Sequence, residues 1–394
     1  MTQNIHSKRK FLQFLASSPL FSGLPALAAQ RLNDSDYIAE SAQWAVNVFD
    51  MENVAIQNWR QAHWTYISQG VDDELTLRAN REGFERLNLR ARRLVDLSGF
   101  NMQIELFGHT MPSPIIMAPV GGLGMAHADG DVEAARGIRA TGHKMIMSTA
   151  ATFGIEKITQ ARGEPIWYQL YPTNIWELTQ GMLRRVEATG ADVLFLTVDI
   201  PARNQDRMRR FDRSSDSCTD CHIPGTTFAD KAMLQGLNAP RNIGSQNPSM
   251  DWEWVKRLRD STNMKLVIKG LTLPEDAELA MTTGVDGIHV SNHGGRGDES
   301  GYATIDSLPE IVSVVQGKVP VIVDGGIRRG TDILKALALG ADAVCIGRPY
   351  VWGLGAFGAQ GVEKVFRILD NELEVAMKQA GTPTLADITR AAVR

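Results

Sequence analysis

The segment Ser291-Asn292-His293-Gly294-Gly295-Arg296 directly follows the apolar run Gly287-Ile288-His289-Val290, so one strand is expected to deliver an imidazole and a guanidinium together at its carboxyl-terminal end. Imidazole accepts a proton near neutral pH, and the planar guanidinium fork matches a carboxylate bidentately. The pair reads as a base beside an anion clamp, with two glycines that let backbone approach a flat ligand. Taken alone, a histidine after a strand is more often a packed or solvated side chain, so the surrounding elements must decide.

Those elements repeat one grammar from Pro114 onward: a short apolar run rich in β-branched residues, a polar or glycine-containing turn, then a stretch with helical apolar periodicity. Eight such runs occur, at 114–119, 144–149, 165–171, 192–199, 265–270, 287–292, 319–326 and 341–347. Runs apolar at every position suit parallel strands covered on both faces. Eight strand–helix units predict an α/β fold, a (β/α)8 barrel with a helical amino-terminal extension, against the competing doubly wound sheet. The barrel is preferred because polar residues finish nearly every run: Ser148, Gln169 with Tyr171, Thr197 with Asp199, Lys269, Ser291 with His293, Asp324 and Arg348. In a barrel all of these converge on one mouth.

The seventh run leads into Asp324-Gly325-Gly326-Ile327-Arg328-Arg329-Gly330 and the eighth into Gly347-Arg348-Pro349. Loops at these places in such barrels bind phosphate through backbone N–H groups and a nearby helix amino terminus. Arg328 and Arg348 would add charge-assisted bonds.

Composition narrows the partners. The chain has 394 residues, 43% of them apolar and 22% charged, which suits a globular protein with a substantial core. A net charge of -4 implies no basic face for nucleic acid, and no segment has the long apolar run of a membrane span. No linker-like stretch divides residues 30–394, which read as one domain with a helical preface over about 30–100. Residues 1–29 differ. Ser7-Lys8-Arg9-Lys10, then Phe11-Leu12, then Ala26-Leu27-Ala28 resemble a twin-arginine export signal with the first arginine replaced, which predicts a periplasmic or exported protein. A frayed tail on a cytoplasmic protein is the alternative. Cys345 lies in the apolar run Ala343-Val344-Cys345-Ile346 and reads as a small core hydrophobe. Cys218-Thr219-Asp220-Cys221-His222 matches the covalent haem-attachment pattern, but with no haem domain around it a loop disulfide, a metal site or plain thiols is preferred.

With these residues in place, the chain resembles the FMN-dependent L-2-hydroxy-acid oxidases and dehydrogenases, the family of glycolate oxidase, lactate oxidase, flavin-type L-lactate dehydrogenase and mandelate dehydrogenase. The likeness begins at Asn47-Val48-Phe49-Asp50 and continues through Tyr66-Ile67, Asp72-Asp73-Glu74 and Asn80-Arg81-Glu82 to the Lys269-Gly270, 291–296, 324–330 and 346–349 segments. It implies an FMN resting against Ala118, Pro119, Val120 and Gly121, with Ser148, Gln169, Thr197 and Ser291 around its ring and Asp324 at the ribityl chain. Gly326, Arg328, Gly347 and Arg348 would hold its phosphate. Lys269 would sit at the pyrimidine edge, where a fixed cation stabilises charge on the reduced flavin.

For a lactate-like or bulkier 2-hydroxy acid, the resemblance assigns His293 as base with Asp199 behind it, Tyr171 to the substrate hydroxyl, and Arg296 with Tyr66 to the carboxylate. Gly121 and Ala150 stand where several relatives carry larger residues, which implies a roomy pocket. Oxygen or a quinone or cytochrome would reoxidise the flavin, and relatives suggest a tetramer. Two departures stand out. Asp206 occupies the place of a second carboxylate-binding arginine, with Arg203 and Arg207 nearby as substitutes, and Gly297-Asp298-Glu299-Ser300 replaces the usual Gln-Leu-Asp. The first motivates an alternative, a flavin-binding barrel without this catalysis.

Overall fold

Along the eight short strands inward and outward side chains alternate, as in any closed barrel. A computed structural model describes residues 37–200, 204–211, 227–244 and 246–394. Its barrel strands are β3 (Ile115–Met117), β4 (Ile146–Ser148), β5 (Trp167–Leu170), β6 (Val193–Thr197), β7 (Lys265–Leu271), β8 (Gly287–Val290), β9 (Val321–Val323) and β10 (Ala343–Ile346). They run parallel in the order β3-β10-β9-β8-β7-β6-β5-β4, and a parallel bridge from Met117 to Met145 closes the ring. All eight predicted runs are strands, and the doubly wound alternative is excluded.

Two apolar clusters show why the runs lacked visible alternation. Ile116, Ile146, Trp167, Phe195, Val267, Ile322 and Cys345 fill the interior, while Ile115, Met147, Tyr168, Leu194, Leu196, Ile268, Ile288 and Val344 face the surrounding helices. Both faces are dry, so both are apolar. Cys345 is buried, as the sequence implied.

Before the barrel, the hairpin of β1 (Ile104–Leu106) and β2 (His109–Met111) plugs its amino-terminal end. Phe107 and Gly108 have φ of +53° and +86°, the signs that a tight two-residue hairpin turn requires. The strained Phe107 lies edge-on to Trp167, with ring centroids 5.6 Å apart, directly under Gly287. Leu106 and Met111 join the interior cluster.

The preface is helical as expected: α1 (Val48–Asn58), α2 (Gln61–Ser68) and α3 (Leu75–Arg86). The Asn47-Val48-Phe49-Asp50 motif is a capping box, in which the Asn47 side chain accepts from the N–H groups of Phe49 and Asp50 while Asp50 accepts from Asn47 N–H. Helix α1 packs on the long carboxyl-terminal helix Arg348–Ala380, where the Trp59 indole fills the space over Gly355 and Asn58 Nδ2 donates to Gly355 O at 3.0 Å. A Cβ on Gly355 would lie 2.1 Å from Trp59 Nε1. Gly355→Ala is therefore expected to cost about 1–3 kcal/mol by overpacking, read as a lower urea midpoint with an unchanged m-value.

Candidate active site

Strand parity that turns apolar residues inward also turns Ser148, Gln169, Thr197, Lys269, Ser291 and Asp324 inward at the carboxyl-terminal ends, where Ser148, Lys269 and Asp324 line one cavity. Its volume is about 750 Å³, within the usual range of small-molecule sites. Tyr66, Pro119, Val120, Gly121, Ser148, Ala150, Tyr171, Lys269, His293, Arg296, Asp324, Gly326, Arg328, Gly347 and Arg348 all line it. Asp199, Gln169, Thr197 and Ser291 stand one place behind that surface.

The Lys269 ammonium is 2% exposed and sits in the middle of the charged cluster. It donates to Ser291 Oγ at 2.9 Å and Asp199 Oδ2 at 3.3 Å, with Asp324 Oδ2 at 3.9 Å. Burial alone would discharge it, but the two carboxylates outweigh burial and raise its proton affinity above that of an ordinary lysine. Burial likewise opposes charge on Asp199 and Asp324, and their cationic and hydrogen-bonding neighbours overcome it, so both carboxyls ionise below the usual range. A bulge places this pair. Strand β7 shifts register between Lys269 and Leu271, and Gly270, at φ +114°, leaves room for Asp199, which a Cβ would meet at 2.5 Å.

His293 is held at φ +58°, left-handed for a non-glycine residue, at a cost of about 1–3 kcal/mol that its surroundings must supply. Its Nδ1 lies 2.9 Å from Asp199 Oδ1, and its Nε2 is 3.3 Å from the Tyr171 hydroxyl. A neutral imidazole here carries its proton on Nδ1, bonded to the carboxylate, and leaves Nε2 as acceptor. Burial, aided by Lys269 and Arg296, pushes its pKa below the ordinary histidine value against the pull of Asp199. Tyr171 is fixed in turn by its N–H to Thr149 Oγ1 at 2.9 Å.

Helix α2 ends beside two guanidiniums. Arg296 donates to Tyr66 O and Gln69 O and lies over the Tyr66 ring, 4.8 Å from its centroid. Arg348 donates to Ile67 O, Gln69 O and Gly294 O at 2.8–2.9 Å. Carbonyls left free at a helix carboxyl terminus favour such cations. Arg348 thus reaches the cavity as expected, but main-chain carbonyls take three of its N–H groups. Arg328 donates to Ile327 O and lies 4.8 Å over Trp352. Burial first, and then repulsion from neighbouring arginines, lowers the proton affinity of both Arg328, to about 10, and Arg348. Neither has a carboxylate at ion-pair distance among the described residues.

Several sequence readings change. Gly294-Gly295 were read as an opening toward a flat ligand and Gly325-Gly326 as part of a phosphate loop, yet Gly295, Gly325 and Gly326 are also demanded by the protein itself. A Cβ on Gly295 would meet Leu77 backbone at 2.5 Å, one on Gly325 the Thr304 hydroxyl at 2.6 Å, and one on Gly326 the Asn80 carbonyl at 2.1 Å. Ser291, read as a cofactor ligand, accepts from Lys269 and donates to Asp324. Arg207, read as a substitute carboxylate ligand, is held by Glu74 at 2.9 Å and Ser68 at 3.3 Å and does not line the cavity. Arg203, Cys218, Cys221 and His222 lie outside the described residues. The unusual Asp298-Glu299 pair has a local role: Glu299 Oε1 accepts from Leu75 N–H at the start of α3, and Asp298 accepts from Thr76 Oγ1.

Some functional residues were missed. Asn80 and Asn292 exchange amide hydrogen bonds at 2.9 Å, which ties the 291–296 loop to the preface. Arg81 bridges Gly326 O and Asp332, whose carboxylate also caps the N–H of Arg328 at 2.9 Å. Thr227, Phe228, Lys231 and Gln246 line the mouth from the β6 side. The buried asparagine pairing had no signal in the sequence, because Asn80 stands among other polar residues of a polar helix.

A flat polar ligand carrying a phosphate fits this cavity. Gln169 Nε2 and Thr197 Oγ1 are buried at its floor without a hydrogen-bond partner among the described residues, and buried donors of that kind normally have one. Arg328 and Arg348 crowd together without an anion. The fold and site define a flavin-binding (β/α)8 oxidoreductase. The chain belongs to the FMN-dependent dehydrogenase family, whose sequence profile matches residues 55–394. It is 37% identical over 362 residues to the L-lactate oxidase of Lysinibacillus sphaericus, covering 88% of this chain and 92% of that protein. The lactate oxidase structure from Pediococcus acidilactici superposes with a TM-score of 0.81 at 33% identity, covering 89% of this chain and 94% of that one. A soluble mutant of the membrane-associated (S)-mandelate dehydrogenase of Pseudomonas putida does so with a TM-score of 0.81 at 30% identity, covering 89% and 99%. Such relatives make this chain an FMN-dependent enzyme acting on 2-hydroxy acids.

With Arg207 committed to Glu74 near the surface, Arg207→Met should change the KM for a 2-hydroxy acid less than twofold and cost about 0–1 kcal/mol of stability, measured by steady-state kinetics and urea melts.

Proposed function

We propose that the enzyme oxidises L-2-hydroxy acids, lactate-like or bulkier, with His293 as the base. One observation carries this reading: Nε2 of a buried imidazole is kept as a proton acceptor by the Nδ1–Asp199 contact at 2.9 Å, in the same cavity as the Arg296 fork. Bound FMN supplies the two-electron acceptor, held by Gln169, Thr197, Arg328 and Arg348. Arg296 and Tyr66 bind the substrate carboxylate, and the Tyr171 hydroxyl orients the substrate hydroxyl beside Nε2. As the substrate proton moves to Nε2, the imidazolium forms against Asp199, which is already ionised. Lys269 stays protonated and favours negative charge in the cavity.

Specificity follows from Gly121 and Ala150, which pack so closely that a Cβ on Gly121 would lie 2.7 Å from that of Ala150. Neither fills the cavity, which leaves space for an aromatic side chain. Residues 1–29 are proposed as an export signal, consistent with a quinone or cytochrome acceptor in preference to oxygen, and the active particle as a tetramer. A mature amino terminus near Ala29 or Gln30 in the periplasmic fraction, negligible oxygen uptake with substrate, and a fourfold mass in solution are the expected results.

His293→Gln should lower kcat by about 10²–10⁴-fold with FMN retained. Flavin bleaching by lactate or mandelate under argon reads this directly, and equal rates in the variant and the wild type would refute the assignment. Because burial depresses the His293 pKa, the base stays neutral further into acid than a free histidine. The acid limb of kcat/KM should therefore fall below the ordinary histidine range, with activity lost as pH drops through it. Ala150→Leu should disfavour mandelate relative to lactate by roughly 10-fold or more in kcat/KM.

A further inference from the structure

Inside the barrel, below the cavity, lies a histidine that this chemistry does not use. His289 is fully buried on the inner face of β8, in register opposite Lys269 of β7. Its ring stands edge-on to Phe195 with centroids 5.9 Å apart, and the neighbouring inner positions Val267 and Ile322 are apolar. Its Nε2 is 3.1 Å from Asp324 Oδ2, a polar partner within hydrogen-bonding distance, while Nδ1 has no hydrogen-bond partner among the described residues. An aliphatic side chain would fill this place without an unsatisfied polar ring. What distinguishes imidazole here is the carboxylate that it faces.

That carboxylate is shared. Asp324 Oδ1 accepts from Ser291 Oγ at 2.8 Å, while Oδ2 lies between His289 Nε2 at 3.1 Å and Lys269 Nζ at 3.9 Å. Lys269 makes no hydrogen bond to Asp324; its ammonium lies against Ser291 Oγ, Asp199 Oδ2 and, at 3.5 Å, His293 Nδ1. We propose that His289 is a positioning residue that holds Asp324 Oδ2 down in the barrel and away from Lys269, so that the ammonium charge acts on the bound cofactor and is not cancelled beneath it. Burial keeps the His289 pKa below the ordinary histidine range despite Asp324, so the ring meets the carboxylate as a neutral dipole. An apolar residue at 289 removes that hold, and the Lys269–Asp324 ion pair, now 3.9 Å apart, then closes to hydrogen-bonding distance. The proposal rests on the reading that Lys269 is the cation facing FMN.

The test is the midpoint potential of bound FMN, measured by dye equilibration on the wild-type holoenzyme and on His289→Leu, His289→Gln and Lys269→Met. His289→Leu should shift the two-electron equilibrium against reduction by tenfold, about 30 mV, with FMN still bound. His289→Gln keeps an amide donor toward Oδ2 and should recover most of the wild-type value, while Lys269→Met should lower the potential at least as far as His289→Leu. A purely structural role would lower the melting temperature of the variants and leave the potential unmoved, and that result overturns the proposal. Equal shifts in the Leu and Gln variants overturn it too. A shift in Lys269→Met without one in His289→Leu removes His289 alone, whereas no shift in Lys269→Met removes the underlying reading of Lys269. Should His289→Leu not fold, His289→Asn, whose amide is too short to reach Oδ2, replaces it with the same expected shift.

Discussion

A buried ammonium without counter-charge is one of the most unfavourable groups a protein can enclose, and the carboxyl-terminal end of this barrel is arranged around one. Lys269 needs Asp199 and Asp324 to remain charged. Each carboxylate then orients a histidine: Asp199 takes Nδ1 of His293, and Asp324 faces Nε2 of His289. His293, Lys269 and the interior His289 thus form one electrostatic unit with the two carboxylates. The backbone yields to it, with a bulge at Gly270 and a left-handed turn at His293.

Around this unit lies a ring of excess positive charge. Arg296, Arg328 and Arg348 repel one another, and the free carbonyls at the end of α2 offset only part of that repulsion. In the proposed function two anions complete the balance, the flavin phosphate and the substrate carboxylate. The helical preface is therefore part of the site: it supplies Tyr66 and the α2 carbonyls, and through Asn80 and Arg81 it braces the loops after β8 and β9.

The close packing of α3 also explains residues that look like ligand contacts in the sequence. Glycines 295, 325 and 326 are required by Leu77, Thr304 and Asn80, because a side chain there would strike protein before it reached any cofactor. The same glycines can still leave space on the cavity side, so motif and packing share a cause. The Asp298-Glu299 departure behaves similarly, as a cap on α3 that keeps the loop beside the base anchored to the preface.

From residue order alone came the eight strands, their inward polar ends and the placing of segments 291–296, 324–330 and 346–349 at one mouth, because these depend on short-range periodicity and on chemistry carried by adjacent residues. The capping box at Asn47 was equally local. Folding decided what depends on contacts between distant segments. Arg207 turns to Glu74 because the preface places a carboxylate beside it, and Ser291 serves Lys269 because β7 and β8 are neighbours. His289, unremarkable among apolar neighbours in the chain, gains its importance only when barrel closure sets it 3.1 Å from Asp324. Strand parity can be read in one dimension, whereas the partner of a buried charge is set by the three-dimensional path that brings it there.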